Sequence, residues 1–179
     1  MSVMEDLDLE RRADRIDEVL AYNLAELYAR GFARTSEYLG RAGLSPAKWN
    51  VLLTARYVGG EEGLPQNRLA ELLIVSGGNV TGLIDGLEDM GLVERAARPG
   101  DRRVRVVRAT RKGRELIDEL WPGYLKVLVE FASPLSSGQK RQAAGLLELW
   151  RKGVRRMNGK GGIGAVRRGK RAAAGRNGK

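Results

Sequence analysis

Two short stretches with helical apolar spacing, followed by two β-prone runs, constrain the fold of this chain more than any other feature. Pro65 to Ile74 and Asn79 to Met90 each place leucine, isoleucine or valine on one side at intervals of three and four residues. Val75 to Gly78 are predicted to form a tight turn between the two stretches, and Gly91 is predicted to end the second one. Two short helices joined in this way are typical of a helix-turn-helix.

A β-hairpin is predicted directly after the second of these helices. Leu92 to Arg95 and Val104 to Arg108 are β-prone, and Ala97 to Arg103 between them contains Pro99-Gly100-Asp101. The hairpin would form a wing with a polar tip beside the helix-turn-helix.

Longer amphipathic helices are predicted on both sides of this unit. The fold class is therefore mainly α with a small β-hairpin wing, a winged helix-turn-helix flanked by terminal helices. The predicted flanking helices are Leu9 to Leu39, Pro46 to about Val58 with Ser45 as N-cap, Thr110 to about Ala132 with a kink at Pro122, and Ser136 to Met157.

Charge is distributed unevenly along the 179 residues. The net charge is +10, but Arg151 to Lys179 contain 11 basic and no acidic residues, so residues 1–150 carry 21 basic against 22 acidic side chains, a net charge of −1. Between Gly91 and Glu115, nine basic residues face three acids. The composition points to a polyanionic partner, with one local positive patch inside the folded part.

Catalytic and membrane functions are disfavoured by what the sequence lacks. It has no histidine and no cysteine, which removes the commonest general base, the usual transition-metal ligands and any thiol chemistry, so we expect no enzyme, no cofactor and no metal. Asp85, Glu88 and Asp89 would lie on one helix with the spacing of an ordinary solvated face. No apolar run approaches the roughly 20 residues of a membrane span, and because Met1 to Glu10 are acidic we expect no signal peptide. We therefore expect a cytoplasmic protein associated with the nucleoid.

The order of these elements, together with local motifs, resembles the MarR family of transcriptional regulators. The resemblance runs from about Ser45 to Leu120. The motifs that carry it are Leu44 to Leu52, Leu69 to Leu73, Asn79 to Glu88, Gly91 to Arg95, Asp101-Arg102-Arg103 and Thr110 to Gly113.

The resemblance implies that the second helix of the helix-turn-helix reads double-stranded DNA in the major groove. The residues expected to contact DNA lie at its amino end, where backbone N–H groups also attract phosphate: Ser76, Gly77, Gly78, Asn79 and Thr81. These residue types also begin helices for purely structural reasons. The helix departs from the family pattern, because no Lys or Arg occurs from Ser76 to Met90 and Gly86 stands where the family often has arginine.

In the wing, Asp101-Arg102-Arg103 resembles the family's Asp-x-Arg. The resemblance implies that Asp101 orients Arg103, which enters the minor groove, while Arg98 and Arg102 contact phosphates. The structural alternative is a solvated charged hairpin.

The chain divides into four regions on this interpretation. Residues 1–44 form an N-terminal dimerisation helix, 45–109 the DNA-binding domain, 110–157 the C-terminal dimerisation helices and 158–179 a disordered basic tail. A homodimer is expected because the terminal helices carry more apolar surface than one small domain can cover.

The family resemblance further implies a repressor that is released by a small aromatic or phenolic ligand. Five aromatic residues are candidates to line the ligand cleft, or simply to fill the core: Tyr28, Tyr38, Trp49, Trp121 and Tyr124.

Other functions fit parts of the sequence. A sequence-tolerant architectural DNA-binding protein is favoured by the basic tail and by the absence of basic residues from the recognition helix. An interaction module that has lost DNA binding is suggested by Gly86, although the intact wing argues against it. The tail itself would add counterion-release affinity for DNA, lengthen the residence of the protein near DNA, or be inert.

Overall fold

The computed structural model describes residues 15–73, 77–98 and 101–159, and at residues 77, 78, 101–103, 158 and 159 it describes the backbone alone. The chain is mainly helical with one small antiparallel sheet, which confirms the predicted fold class. In chain order the elements are α1 (Ile16–Gly40), α2 (Pro46–Tyr57), β1 (Leu64–Pro65), α3 (Gln66–Leu73), α4 (Gly77–Asp89), β2 (Val93–Arg98), β3 (Asp101–Ala109), α5 (Arg111–Phe131) and α6 (Ser137–Gly159).

The sheet has three strands, one more than the sequence predicts. β1 pairs antiparallel with β3, with Leu64 opposite Val107, so the order is β1-β3-β2. The prediction that Pro65 opens a helix is wrong, because Pro65 lies in the edge strand and α3 begins one residue later. Proline suits an edge strand since it has no N–H to donate.

The hairpin of β2 and β3, hereafter the wing, is longer than its β-prone runs. The register runs from Val93 opposite Ala109 to Ala97 opposite Arg105, and then shifts so that Arg98 faces Asp101. This irregularity lies next to the tip. Pro99 and Gly100 lie outside the described residues.

The hydrophobic core joins α2, α3, α4, the wing and α5. α4 contributes Val80, Ile84 and Leu87, all fully buried, as the apolar spacing predicts. Trp49 and Leu52 of α2 are equally inaccessible to solvent. The opposite side of α4 is thereby turned outward.

Side-chain caps set several helix boundaries. Ser45 Oγ accepts the Lys48 N–H at 3.2 Å, and Thr110 Oγ1 accepts the Gly113 N–H at 3.0 Å while donating to the Gly91 carbonyl at 2.7 Å. Gly91 adopts a φ of 69°, the left-handed conformation that ends α4. α4 begins two residues before the predicted start, and α5 continues through Pro122.

α6 belongs to a separate compact unit that begins at Ala132. Ser136 and Gln139 form a reciprocal cap at its start, with N–H to side-chain oxygen distances of 2.8 and 3.3 Å. None of the helices in the described ranges is both long and apolar enough to cross a membrane.

Gly113 of α5 packs closely against Leu92, the residue that precedes the wing. A Cβ at this position would lie 2.1 Å from the Leu92 carbonyl oxygen. We expect Gly113→Ala to lower the free energy of unfolding by about 1–3 kcal/mol, since backbone must move. Gly145→Ala in α6 is the control, because no atom of the described residues outside the adjoining helix backbone lies within 4 Å of its added Cβ, and it should stabilise by about 0.5–1 kcal/mol. Chemical denaturation of both variants tests this, and equal stability of the two would contradict it.

Candidate DNA-binding surface and ligand groove

The outward side of α4 exposes small polar and acidic residues. Asn79, Thr81, Gly82, Asp85 and Asp89 are all exposed along it. Among the described residues, no atom outside the adjoining helix backbone lies within 4 Å of the position that a Cβ would take on Gly82. This side of the helix is therefore open for close approach by another molecule.

The amino end of α4 contains most of the residues predicted to contact DNA. Gly77 and Gly78 form its first turn and Asn79 is exposed, whereas Ser76 lies outside the described residues. Thr81 Oγ1 accepts a hydrogen bond from Gln66 Nε2 at 2.6 Å. This bond joins the start of α3 to α4 and helps to fix the angle between the two helices.

Arg95 of the wing neutralises two acids of α4, and we call these three residues the Arg95 cluster. Its guanidinium forms ion pairs with Asp85 and Glu88, and its backbone N–H donates to Glu88 Oε1 at 2.9 Å. The backbone N–H of Arg95 and then its guanidinium hold the pKa of Glu88 below its ordinary value. The cluster both reduces the negative charge on α4 and attaches the wing to it.

The other cations at the base of the wing also have partners. Arg108 pairs with Glu94 at 2.7 Å, and Lys112 Nζ donates to the Met90 carbonyl at 2.7 Å. Further along, Arg111 pairs with Glu115 at 3.1 Å, and Arg114 donates to the Ala109 carbonyl at 2.8 Å. The cations at the base of the wing are therefore held by partners within the protein.

Two arginines nearer the tip have no ion pair among the described residues: Arg98 and Arg105. Arg98 Nε is buried without a hydrogen-bond partner, and Arg105 is exposed. Asp101, Arg102 and Arg103 lie in β3, but their side chains are outside the description. The sequence-based list of DNA contacts omits Arg105, which the alternation Val104-Arg105-Val106 would have identified as outward-facing.

Comparison with known proteins places this surface in a family. A family model described as MarR family matches residues 42–104, which hold the helix-turn-helix and most of the wing. YkoM of Bacillus subtilis, an uncharacterized HTH-type transcriptional regulator, is 33% identical over 132 residues, 72% of this chain and 84% of YkoM. The chain belongs to the MarR family.

It is thus a DNA-binding transcriptional regulator and not an enzyme, as the sequence motifs predict. CouR from Rhodococcus jostii RHA1, solved bound to p-coumaroyl-CoA, is 25% identical with a TM-score of 0.66, covering 72% of this chain and 89% of CouR. A mutant of MarR from E. coli, solved in complex with operator DNA, has the same fold at 22% identity and a TM-score of 0.66, covering 76% of this chain and 97% of that one.

The MarR-family regulator has a groove of about 470 Å³ between α1, α2, α5, the end of α3 and the middle of α4. Of the five predicted aromatic residues, Tyr28 and Tyr124 line it. Trp49 is fully buried, with its ring centroid 5.4 Å from that of Tyr124, while Trp121 and Tyr38 are not part of the lining. The sequence-based list omits several lining residues: Leu27, Gly31, Phe32, Thr35, Pro46, Ala47, Asn50, Leu73, Leu83, Leu128 and Phe131.

Polar groups in the groove are few. Burial raises the pKa of Tyr124, so its hydroxyl stays protonated and can donate a hydrogen bond at physiological pH. Asn50 presents an exposed amide, and Thr35 Oγ1 is already bonded to the Gly31 carbonyl at 2.9 Å. An apolar cavity with one or two hydrogen-bonding groups suits a small aromatic molecule.

The Arg95 cluster predicts a pH-dependent contribution to stability. Since the pKa of Glu88 is lowered on folding, its stabilising effect is present above the unfolded-state pKa near 4.5 and is lost as the pH falls through the lower folded-state pKa. Glu88→Gln should therefore destabilise the protein at pH 7, by about 0.5–1 kcal/mol after allowance for solvent screening. The difference from wild type should shrink below pH 4.5.

Thermal denaturation between pH 7 and pH 3 measures this difference. Glu37→Gln is the matched control, because the ion pair of Glu37 in the described structure is an exposed one with Arg41 at 3.4 Å, and the change should affect stability little at any pH. A stability gap for Glu88→Gln that persists unchanged at pH 3 would contradict the assignment.

Proposed function

We propose that this regulator binds a pseudo-palindromic operator as a homodimer, represses transcription there, and is released by a small aromatic or phenolic ligand. The observation that carries the DNA-binding mode is the sorting of charge across the wing. At the base of the wing Arg95 pairs with Asp85 and Glu88 of α4, and Arg108 pairs with Glu94. Towards the tip of the wing, Arg98 and Arg105 have no ion pair in the described part of the chain.

The recognition helix α4 enters the major groove with its exposed face towards the bases. Asn79 and Thr81 are the side chains offered to base edges, and Ser76, Gly77 and Gly78 offer backbone N–H groups to phosphate. Gln66 supports Thr81 from α3. Since none of these groups is cationic, the helix reads the sequence while the wing supplies much of the affinity.

The wing enters the adjacent minor groove. Arg103 is attracted by the enhanced negative potential of a narrow minor groove, and Asp101 orients it. Arg98 and Arg102 contact phosphates on either side. Arg105, exposed and without an ion pair in the described structure, extends this row of cations.

The terminal helices form the dimer interface, with residues 1–44 and 110–157 as its two parts. Large apolar side chains stay exposed on α1 and α5, which a monomer in water does not favour. α6, taken by itself, also exposes a mixed apolar and basic surface. The exposed apolar residues include Ile16, Leu20, Leu24, Trp121, Leu125, Val129, Leu146, Leu149, Trp150, Val154 and Met157.

The effector binds in the groove beside Tyr124. Its lining includes Leu73 at the end of α3 and Leu83 within α4, as well as residues of α1 and α5. An occupant therefore touches both DNA-reading helices and the helices that we assign to the dimer interface. It regulates by favouring one spacing of the two DNA-binding lobes, so its affinity must differ between free and DNA-bound protein. The ligand of CouR, p-coumaroyl-CoA, supports the aromatic class.

An architectural role without sequence specificity is the second candidate. It is favoured by the absence of Lys and Arg from α4 and by the 11 basic residues of Arg151 to Lys179. In that role, residues 158–179 would carry most of the affinity, which would depend steeply on salt and little on sequence.

Capture of fragmented genomic DNA at near-physiological salt by wild type and by Arg103→Ala separates the two functions. We expect wild type to enrich a palindromic motif and Arg103→Ala to lose that enrichment by about fivefold or more, because an arginine that contacts bases contributes about 1–3 kcal/mol. Arg30→Ala is the control, since Arg30 is paired with Glu26 in α1, and it should capture the same motif. Capture without a motif, equal in wild type and Arg103→Ala, would replace this proposal by the architectural role.

Isothermal titration calorimetry with p-coumarate and p-hydroxybenzoate tests the groove. We expect binding that is weakened about three- to tenfold in Tyr124→Phe, the equivalent of one hydrogen bond, and that lowers the affinity for operator DNA. Tyr57→Phe removes an exposed hydroxyl outside the groove and should bind like wild type. No binding of either acid, or equal losses in the two variants, would contradict this assignment.

A further inference from the structure

Docking of α4 against DNA poses an electrostatic problem that the Arg95 cluster solves only in part. All charged residues of α4 are acidic: Asp85, Glu88 and Asp89. Arg95 covers Asp85 and Glu88, while Asp89 is exposed with no ion pair in the described structure. A helix in the major groove lies between two rows of phosphates, so an uncompensated acid weakens binding.

Lys48, in the first turn of α2, lies against the surface of α4 at Gly86. A Cβ on Gly86 would lie 2.9 Å from Lys48 Nζ and 3.0 Å from Lys48 Cε. The end of the lysine side chain therefore occupies the volume that any side chain at position 86 would need. Glycine at this position admits the ammonium group to the helix surface.

The ammonium group of Lys48 has no carboxylate partner in the described part of the chain. Its nearest recorded partner is the soft Met90 sulfur, 3.9 Å away. The stem of the half-buried side chain packs on the protein while the charge stays available. A lysine held in this way loses little conformational freedom when it meets an anion.

Gly86 also lies in line with two exposed residues of α4. It follows Gly82 by four residues and Asn79 by seven, so the three lie along one side of the helix. The Cβ position of Gly82 is open, and Asn79 is exposed. Lys48 thus places a positive charge at the carboxyl-terminal end of the row that we assign to the major groove.

We propose that Lys48 is the phosphate-binding cation of the recognition helix, supplied from α2 across Gly86. This inference rests on the proposed docking of α4 in the major groove. As a point charge, the ammonium group adds affinity and fixes how deeply α4 sits, without reading bases. The alternative is that Lys48 only stabilises the carboxyl end of α4, and that result would overturn the proposal.

Fluorescence anisotropy of the full chain with a captured operator duplex, measured over a series of salt concentrations, tests the proposal. Lys48→Gln should weaken binding several-fold and lower the salt slope by about 0.9 for each lysine lost, hence by about two in a homodimer. The melting temperature should stay at the wild-type value. Lys126→Gln, on an exposed part of α5 near Glu130, is the matched control. At concentrations where size-exclusion chromatography shows the same dimer as wild type, its slope should equal that of wild type.

Variants of Gly86 test whether the Lys48 ammonium group acts from its position over Gly86. Gly86→Ala should displace the ammonium group and lower the salt slope without lowering the melting temperature, since alanine favours the helix. Combined with Lys48→Gln it should cost no further affinity. Gly86→Lys in the Lys48→Gln background should restore the slope by placing a cation on α4 itself.

The outcomes separate this inference from the proposed function. If Arg103→Ala weakens operator binding but Lys48→Gln changes neither affinity nor slope, the role of Lys48 is wrong and the docking stands. A fall in melting temperature with an unchanged slope shows that Lys48 only stabilises α4, which also overturns the inference. If neither variant affects binding, the docking of α4 and the wing is itself wrong.

Discussion

Burial of one side of α4 against α2 is the constraint on which the rest of the molecule depends. Val80, Ile84 and Leu87 are fully inaccessible to solvent in the same core as Trp49. Burial of each such side chain contributes about 1.5–3 kcal/mol, which exceeds what any surface ion pair supplies. Because the helical period is fixed, this burial also decides that Asn79, Gly82 and Gly86 lie on the other side.

Charged side chains then act on the surface that this packing leaves exposed. Arg95 attaches the wing to α4 while covering two acids, and Lys48 lies over Gly86. Towards the tip, Arg98 and Arg105 have no ion pair in the described structure. Along the wing, positive charge is thus paired near the core and left unpaired towards the tip. This distribution favours approach of the tip to a polyanion.

Much of this architecture could be predicted from the sequence because its determinants are local. The spacing of Val80, Ile84 and Leu87 specifies the buried side of α4, and Ser45 and Thr110 act as the caps that their positions suggest. The MarR-family resemblance was likewise carried by short contiguous motifs.

The parts that sequence alone could not supply depend on contacts between distant segments. β1 consists of two residues and becomes a strand only through pairing with β3, so no local pattern marks it. Lys48 and Gly86 are 38 positions apart, and nothing in either neighbourhood indicates that they meet. The groove combines residues from five helices. The sequence-based prediction named five aromatic residues as its lining, and of these only Tyr28 and Tyr124 line it.

The central claim is that two copies of α4 and its wing read one DNA site together. Hydroxyl-radical footprinting of the full chain on a captured genomic fragment tests it most directly. The account predicts two protected half-sites related by a two-fold axis, with centres one helical turn, about 34–36 Å, apart, and minor-groove protection at each outer flank. A single unpaired half-site, or continuous protection without a repeat, would contradict it.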